Sequence, residues 1–524
     1  MTSPTVFTQW STIQPFVGAN LPAWVPPLDA LRIASYQKYE EIYWTSEEGF
    51  TNKLRGDNEN PVLMPTARTI IDTVNRYVAP GFTYTVTGED ATAVQVAQLA
   101  FTNLFTRENF FSQFNGSKRY GLIHGDWYWH VLADPLKLPG RRLSIKRVDP
   151  GAVFQVFESD ILPEGDPDKI IRVHIAEQIL INGDVRVSRL TYERLYDPNT
   201  GLPLGVQRSH GIFKLEKWWQ ATVAETWILN DEMLPPEIKT IPVYHLKNFD
   251  ATAPYGSSEM RGLESVLLGI NQTISDEDLT LGVEGLGIYA TDGGAPVDEN
   301  GNEVEWIMGP GRVLTQANNL KRINGVGSVV PYGDHYNRLL EAVRMAVGAS
   351  DAATGKIDSA TAESGIALAL QLAPILAYSA EKDQTIIDVH SQMFFDLCFW
   401  LQVYEDLPLT TTGDDGQLTA AVVITPIIGS KIPANIKEVI ERVTTLRSAS
   451  PPIISLQTAH AWLAAVGLVL APDELALIEN EQSSALNALG PLATQDLVST
   501  QRTTAELTGA GSPAGHGTGA NSGN

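Results

Sequence analysis

The sequence is short of cysteine, of positive charge and of long apolar runs, and each shortage removes a class of function. A single cysteine, Cys398, stands in 524 residues, so no intrachain disulfide can form. It lies in an apolar run, where a buried structural thiol is expected rather than a nucleophile. Lys and Arg number 37 against 61 Asp and Glu, a formal net charge of −24. Tight binding to nucleic acid works by Lys and Arg displacing counterions from phosphates, so this balance argues against it and suits a surface that repels DNA. The stretch MTSPTVFTQW lacks the basic and apolar segments of a signal peptide, and AWLAAVGLVLAP (461–472) is too short to span a bilayer. A soluble chain, in the cytoplasm or bound to a particle and with no membrane partner, is expected.

Catalytic signals are scarce as well. SDAATGKIDSATAESG (350–365) contains Gly355-Lys356, the end of a phosphate-cradling loop. That pattern needs a glycine where Ser350 stands, a hydroxyl where Ile357 stands and a strand upstream, whereas RLLEAVRMAVG reads as a helix. A polar loop between two helices fits better. HGDWYWH places His124, Asp126, Tyr128 and His130 on one face if it is all strand, but no further ligands complete a metal pattern. Asp276, Glu277 and Asp278 sit at successive helical positions about 100° apart and cannot converge on one ion. GRRLSIKRVD (140–149) is the densest basic run; pairing with acidic residues of a neighbouring copy is expected there rather than a nucleic-acid patch. No Ser/His/Asp or Cys/His set can be assembled, so neither an enzyme nor a cofactor is expected.

Architecture is more legible, and it reads as a multi-domain α+β chain. LDALRIASYQKYEEIYW (28–44), MPTARTIIDTVNRYV (64–78) and AVQVAQLAFTNLF (93–105) have helical spacing, the second with a proline at its first turn. From Gly125 to Asn248 polar and apolar residues alternate between Asp-Pro and Asn-Gly turns, which reads as antiparallel strands. YGSSEMRGLESVLLGINQTISDEDLTLGVEG then predicts a helix from Ser257 to Glu284, about 40 Å long. Ser257 or Ser258 would cap it, and Met260, Leu263, Leu267 and Ile270 would form a narrow apolar seam. Residues 285–330 read as a small strand-rich insertion, and DHYNRLLEAVRMAV (334–347) as a helix capped by Asp334 with Leu339, Leu340, Val343 and Val347 inward. A very long helix over 365–407 follows, with a kink expected at Pro374. Then come a strand, AAVVITPI, and helices at 434–448, 455–467 and 471–487. LTGAGSPAGHGTGANSGN (507–524) is of disordered composition.

This order of elements resembles that of tailed-bacteriophage portal proteins, the head-to-tail connectors. The likeness is carried by MPTARTIIDTVNRYV, by YGLIHGDWYWHVLAD followed by IKRVDPGAVFQVFES, by IPVYHLKNFDATAPYGSSEMRGLESVLLGINQTISD and by ATAESGIALALQLAPILAYSAEK. It spans roughly residues 28–490 and lies in order and spacing, not in a short signature.

The resemblance implies a ring of about twelve copies at one capsid vertex of the virion, assembled in the host cytoplasm. Such a ring would pass double-stranded DNA during packaging and ejection. It would meet the terminase packaging motor, the major capsid and scaffold proteins, and a head-tail adaptor.

By position the resemblance implies an N-terminal arm 1–27, a wing 28–255, a first stem helix 256–284, a clip 285–330 and a second stem helix 331–348. A tunnel loop 349–363, a long wing helix and strand 364–429, a crown 430–506 and a tail 507–524 follow. In the tunnel loop, Ser350, Asp351, Thr354, Gly355, Lys356, Asp358, Ser359 and Thr361 would face the channel, with Lys356 the only cation. In the clip, Glu303, Glu305, Trp306 and Arg312 would serve docking. A scaffold or coat protein without a channel, and a nucleotide-driven packaging enzyme, are the competing readings.

Overall fold

A computed structural model describes residues 5–6, 27–45, 61–161, 165–166, 169–197, 203–218, 223–249, 254–286, 288–290, 300–303, 319, 321–323, 330–351, 353–354, 365–412, 418–431, 436–448, 453, 459 and 462–463. The helices longer than one turn are α1 (Pro27–Trp44), α2 (Thr66–Tyr77), α3 (Ala91–Arg107), α4 (Phe110–His124), α5 (Glu264–Leu286), α6 (Val330–Ala346), α7 (Gly365–Glu405) and α8 (Ile436–Ser448). The strands are β1 (Thr5–Val6), β2 (Thr83–Thr87), β3 (Asp126–Ala133), β4 (Leu143–Val148), β5 (Val153–Phe157), β6 (Ile170–Ile181), β7 (Asp184–Tyr196), β8 (Pro203–Lys214), β9 (Thr226–Met233), β10 (Val243–Lys247), β11 (Ile288–Ala290), β12 (Lys321–Ile323), β13 (Thr410–Thr412), β14 (Leu418–Ala420) and β15 (Val423–Ile427). The class is α+β.

The largest sheet runs β1-β6-β7-β8-β9, with β5 also on β6. Its central hairpin turns at Asn182 and Gly183, both at positive φ, and pairs Ile181 with Asp184. Two residues in the left-handed region match the right-handed twist of the flanking strands, which is why Asn-Gly stands there. A second sheet has the order β10-β3-β4. β2 pairs with β15, more than three hundred residues away in the chain.

The core gathers around α7. Met393, Phe394, Leu397, Cys398, Trp400 and Leu401 are all buried along one broad face of α7, while Phe395 on the other side is 46% exposed. Phe394 meets Phe101, Phe105 and Phe110, and Phe82 stacks on Phe114 at 4.3 Å. The Cys398 thiol, fully buried, is pushed up to about 12 by desolvation and by nearby Asp396, which leaves it inert at neutral pH. Met1–Lys431 forms one compact unit and Ile432–Asn524 a second. In the second, α8 buries Val443, and Arg442 lies over the Trp462 ring.

Several expectations are corrected. His124 is the last residue of α4, not a strand residue, so only Asp126, Tyr128 and His130 share the face of β3. α4 and β2 were not anticipated. The helix expected from Ser257 starts at Glu264: Ser258 Oγ does accept from Met260 N (3.1 Å), but Gly262 at φ +85° turns the chain before the helix begins. The helix expected from Asp334 starts at Val330, so Asp334 lies inside α6 and caps nothing. Pro331 in its first turn suits that start, since proline has no N–H to leave unpaired there. In the basic run, Arg142 finds its partners within its own chain, donating to the Tyr404 carbonyl (2.8 Å) and pairing with Asp406 (3.7 Å), while Arg147 lies over the Tyr120 ring. The helices expected at 455–467 and 471–487 and the tail 507–524 fall outside the described residues, apart from a few positions.

His390 gives the core a pH dependence. Its ring is fully buried, with Nδ1 donating to the Ile386 carbonyl (2.7 Å) and Nε2 accepting from Trp129 Nε1 (3.0 Å), which fixes the neutral tautomer. Burial lowers its pKa to about 4. A histidine lowered on folding contributes stability that is whole above its unfolded value of roughly 6.5 and is lost as pH falls toward 4. NMR of the imidazole should therefore show the Nδ1–H neutral form still dominant at a pH of roughly 5. An imidazolium already dominant there would contradict this packing.

Candidate functional site

The described residues offer a junction where the paired helices α5 and α6 join the rest of the first unit. It is built on two glycines. Gly125 ends α4 at φ +99°, in the left-handed region that glycine adopts without strain. A Cβ there would sit 2.7 Å from the Ser257 carbonyl carbon, and one on Gly256 would sit 2.2 Å from the Gly125 oxygen. Backbone therefore lies on backbone, and any side chain at either position would separate the two segments. Asn248 N donates to Gly125 O (2.8 Å) and Glu259 N to Leu122 O (3.0 Å), stitching the corner before α5 to the corner after α4.

Asp126, fully buried, holds this contact from below. Oδ1 accepts from His245 Nε2 (2.6 Å) and Gly256 N (2.7 Å), and Oδ2 accepts from the Tyr36 hydroxyl. The His245 ring stacks on Tyr128 at 4.4 Å, and its Nδ1 accepts from Gln155 Nε2 at 3.2 Å. Burial lowers the His245 pKa against the pull of Asp126, so the ring is a neutral donor. Burial and Asp126 push Tyr36 well up. Arg32 extends the network: it grips Asp29 through Nε (3.0 Å) and Nη2 (2.7 Å) and donates to the carbonyls of Pro150 (2.7 Å) and Val153 (2.8 Å). Tyr255 donates to Asp29 (3.0 Å), and its ring lies 4.3 Å from the Arg32 guanidinium.

A second buried pair ties the same corner to α7. Lys382 Nζ lies 2.5 Å from Glu259 Oε1, with the two side chains 3% and 1% exposed. Tyr378 donates to the other Glu259 oxygen, and Asn248 bridges the pair, accepting from Lys382 (3.1 Å) and donating to Glu259 (3.1 Å). Desolvation lowers the Lys382 pKa, and Glu259 opposes it. Each carboxylate oxygen of Asp126 and Glu259 accepts at least one hydrogen bond from its own chain, and both side chains are buried. The chemistry of the junction is positional.

From that root α5 and α6 run antiparallel. Leu339 packs over Gly269 near the root, and the Thr280 hydroxyl meets Tyr332 (3.4 Å) farther along. Met260, Leu267 and Ile270 are buried and Leu263 packs against the same core. On another side, Asn271 accepts from Met64 N (2.6 Å) and Ser275 from Val62 N (3.1 Å). The seam thus meets its own chain. Apolar side chains left exposed on the pair are Leu279 (56%), Leu281 (49%) and Met345 (69%).

Between the helices, β11 pairs antiparallel with β12. Glu303 is exposed, whereas Glu305, Trp306 and Arg312 lie outside the described residues. After α6 the expected mobile loop opens with an ordered turn. Asp351 accepts from Arg344 Nη1 (2.6 Å), Thr354 N reaches the Ser350 and Asp351 carbonyls (3.2 Å each), and Ala353 is buried. Ser350, Asp351 and Thr354 therefore belong to a fixed helix exit. Gly355, Lys356, Asp358, Ser359 and Thr361 lie outside the described residues. Sequence reasoning missed Tyr36, His245, Glu259 and Lys382, which are distant in the chain and carry no motif.

Among the described residues, no group of three or more His, Cys, Asp and Glu side chains could hold a metal ion, and no helix is long and apolar enough to cross a membrane. No family model matches the chain, and no curated protein matches it. Among solved structures it is similar to a chain of the neck of a native gene transfer agent particle computed with C12 symmetry, at 14% identity and a TM-score of 0.41 over 87% of this chain and 98% of that one. It is also similar to a chain of the virion of the native gene transfer agent particle, at 12% identity and a TM-score of 0.42 over 85% of this chain and 96% of that one. A chain of the neck of an empty particle computed with C6 symmetry has 14% identity and a TM-score of 0.42, over 85% and 96%.

Lys382→Met should leave the Glu259 carboxylate buried without its cation and cost about 3–5 kcal/mol in urea unfolding. Adding Glu259→Gln should recover part of that loss. Equal loss in the single and double variants would show that the pair itself is not what holds the corner.

Proposed function

We propose that this chain is a subunit of a portal ring, a conduit for double-stranded DNA at one capsid vertex. The observation that carries the reading is the helix pair. α5 and α6 are antiparallel, joined through a segment that holds a small two-stranded sheet, rooted in a buried junction, and left with apolar side chains that no described residue covers. A helix pair that buries one face in its own body and leaves Leu279, Leu281 and Met345 bare suits packing against copies of itself around an axis. The element order that resembles the portal family supports the same assignment.

In this reading the strand-rich insertion over 285–330 is the clip, and Glu303, Glu305, Trp306 and Arg312 meet first the packaging motor and later the adaptor. The channel is acidic, with carboxylates repelling phosphates and salt screening them beyond about 8 Å, so DNA slides without sticking. Lys356, with Gly355, Asp358, Ser359 and Thr361, forms the loop that touches DNA briefly, starting from the fixed exit at Ser350–Thr354. The ring performs no chemistry of its own: the purified chain hydrolyses no ATP and cuts no DNA.

Negative-stain microscopy of the purified chain tests this. Wheels with a central hole, of about twelve copies, are expected; shells or monomers would favour a coat or scaffold role instead. Leu279→Asp and Met345→Asp should lower ring yield with an unchanged circular dichroism spectrum. Leu267→Asp should unfold the subunit itself, because a carboxylate at that buried position costs several kcal/mol. Rings of normal yield from both surface variants would refute the role given to the helix pair.

A further inference from the structure

A cavity of about 370 Å³ opens between α2 and α4, lined by Asn75 and Arg76 from the first, by Pro80 just beyond it, and by Asn115, Gly116, Lys118 and Arg119 from the second. Three of these seven residues are cations, on a chain with 24 more acidic than basic residues. The carboxylates nearest the cavity already have partners, and one of them neutralises Arg119. Asp72 pairs with Arg119 (3.1 Å) and with Arg68 (3.8 Å), and it also accepts from Tyr43 (3.1 Å). Asp383, the acid nearest in influence to Lys118, is held by Lys431 (2.5 Å) and Ala79 N (2.7 Å). Lys118 itself, 6% exposed, donates to the Val78 carbonyl (2.6 Å) and has no carboxylate within ion-pair distance among the described residues. Burial lowers its pKa to about 8, the mark of an ammonium short of compensating charge. Arg76, exposed, likewise has no such partner among the described residues. The buried Asn75 side-chain oxygen has no hydrogen-bond partner among them.

We propose that this cavity receives a carboxylate side chain of a second copy of the chain. Recess and charge select that occupant. A duplex presents its phosphates on a convex rod, which cannot follow a residue as recessed as Lys118, 6% exposed, whereas a single Asp or Glu side chain is narrow enough to approach it. Copies carrying −24 each repel on approach, so a stable ring needs places where that sign is reversed. The inference rests on the ring reading above.

Gly116 supplies the test. A Cβ there would meet only the Arg147 guanidinium, at 3.4 Å, so the position accepts a side chain. Gly116→Glu would tether a carboxylate at the cavity wall, beside Arg147, where its high effective concentration would compete with one from a neighbour. Ring yield of the full chain is measured by sedimentation velocity at about 50 and about 300 mM salt for the parent, Gly116→Ala, Gly116→Glu and Arg76→Glu. Gly116→Ala should match the parent, and both glutamate variants should form rings at about a tenth of its yield at low salt. If Gly116→Glu melts early, Arg76→Glu decides, since that side chain is exposed and makes no ion pair among the described residues. A parent that forms rings while both glutamate variants do too would overturn the inference and leave the ring reading standing. Normal rings with reduced DNA retention would show a phosphate site and also overturn it. A parent that forms no rings would remove both.

Discussion

The contact between Gly125 and Gly256, backbone against backbone over the buried Asp126 carboxylate, is the constraint on which the architecture depends. It brings together three segments far apart in the chain: the turn from α4 into β3, the approach to α5, and α1 through Tyr36. A carboxylate with no exposure to water is costly, and here three donors saturate it, which makes the arrangement specific as well as tight. The Glu259–Lys382 pair repeats the device one step along and fastens the same corner to α7. A long helix pair is a lever, and its direction is only as definite as its root. A root of hydrogen-bonded polar groups sets that direction in a way that apolar packing alone would not, which is what the proposed ring would require of its subunit.

Charge divides the chain's tasks. The described cations are mostly engaged within the chain, among them Arg32 with Asp29, Arg172 with Glu193 and Arg186 with Glu225. What remains outside is predominantly acidic. Such a surface disfavours adhesion to DNA and also disfavours self-association, so assembly must draw on bare apolar residues and on local reversals of sign. The exposed leucines of α5 and the cationic cavity between α2 and α4 are two features of the first unit that could meet those needs.

The sequence reading succeeded where periodicity was long or turn chemistry explicit. α7 is long enough that its apolar pattern admits no strand, and the Asn182-Gly183 turn needs two positive φ values that few other pairs supply. It failed where the deciding partner was remote. β2 is five residues whose pairing lies on β15, and nothing near Thr83–Thr87 announces it. α4 ends at Gly125, a C-terminal glycine signal, but the aromatic run after it drew His124 into the strand. Ser258 closes a turn at Met260 rather than capping α5, because Gly262 interposes a turn before the helix, and Pro331, a good first-turn residue, outweighed Asp334 as the start of α6. The buried network had no signature because Tyr36, Asp126, His245 and Glu259 meet only after folding.

Hydrogen exchange at the amides of Asn248, Gly256 and Glu259 tests the central claim most directly. Each of these N–H groups crosses the junction, to Gly125 O, Asp126 Oδ1 and Leu122 O. If the junction is the rigid root of the helix pair, the three should exchange together, only through global unfolding, with protection matching the stability from denaturant titration. Exchange through a local opening well below that free energy, with the α7 core still protected, would show that the helix pair is hinged at this corner, and the account would fail.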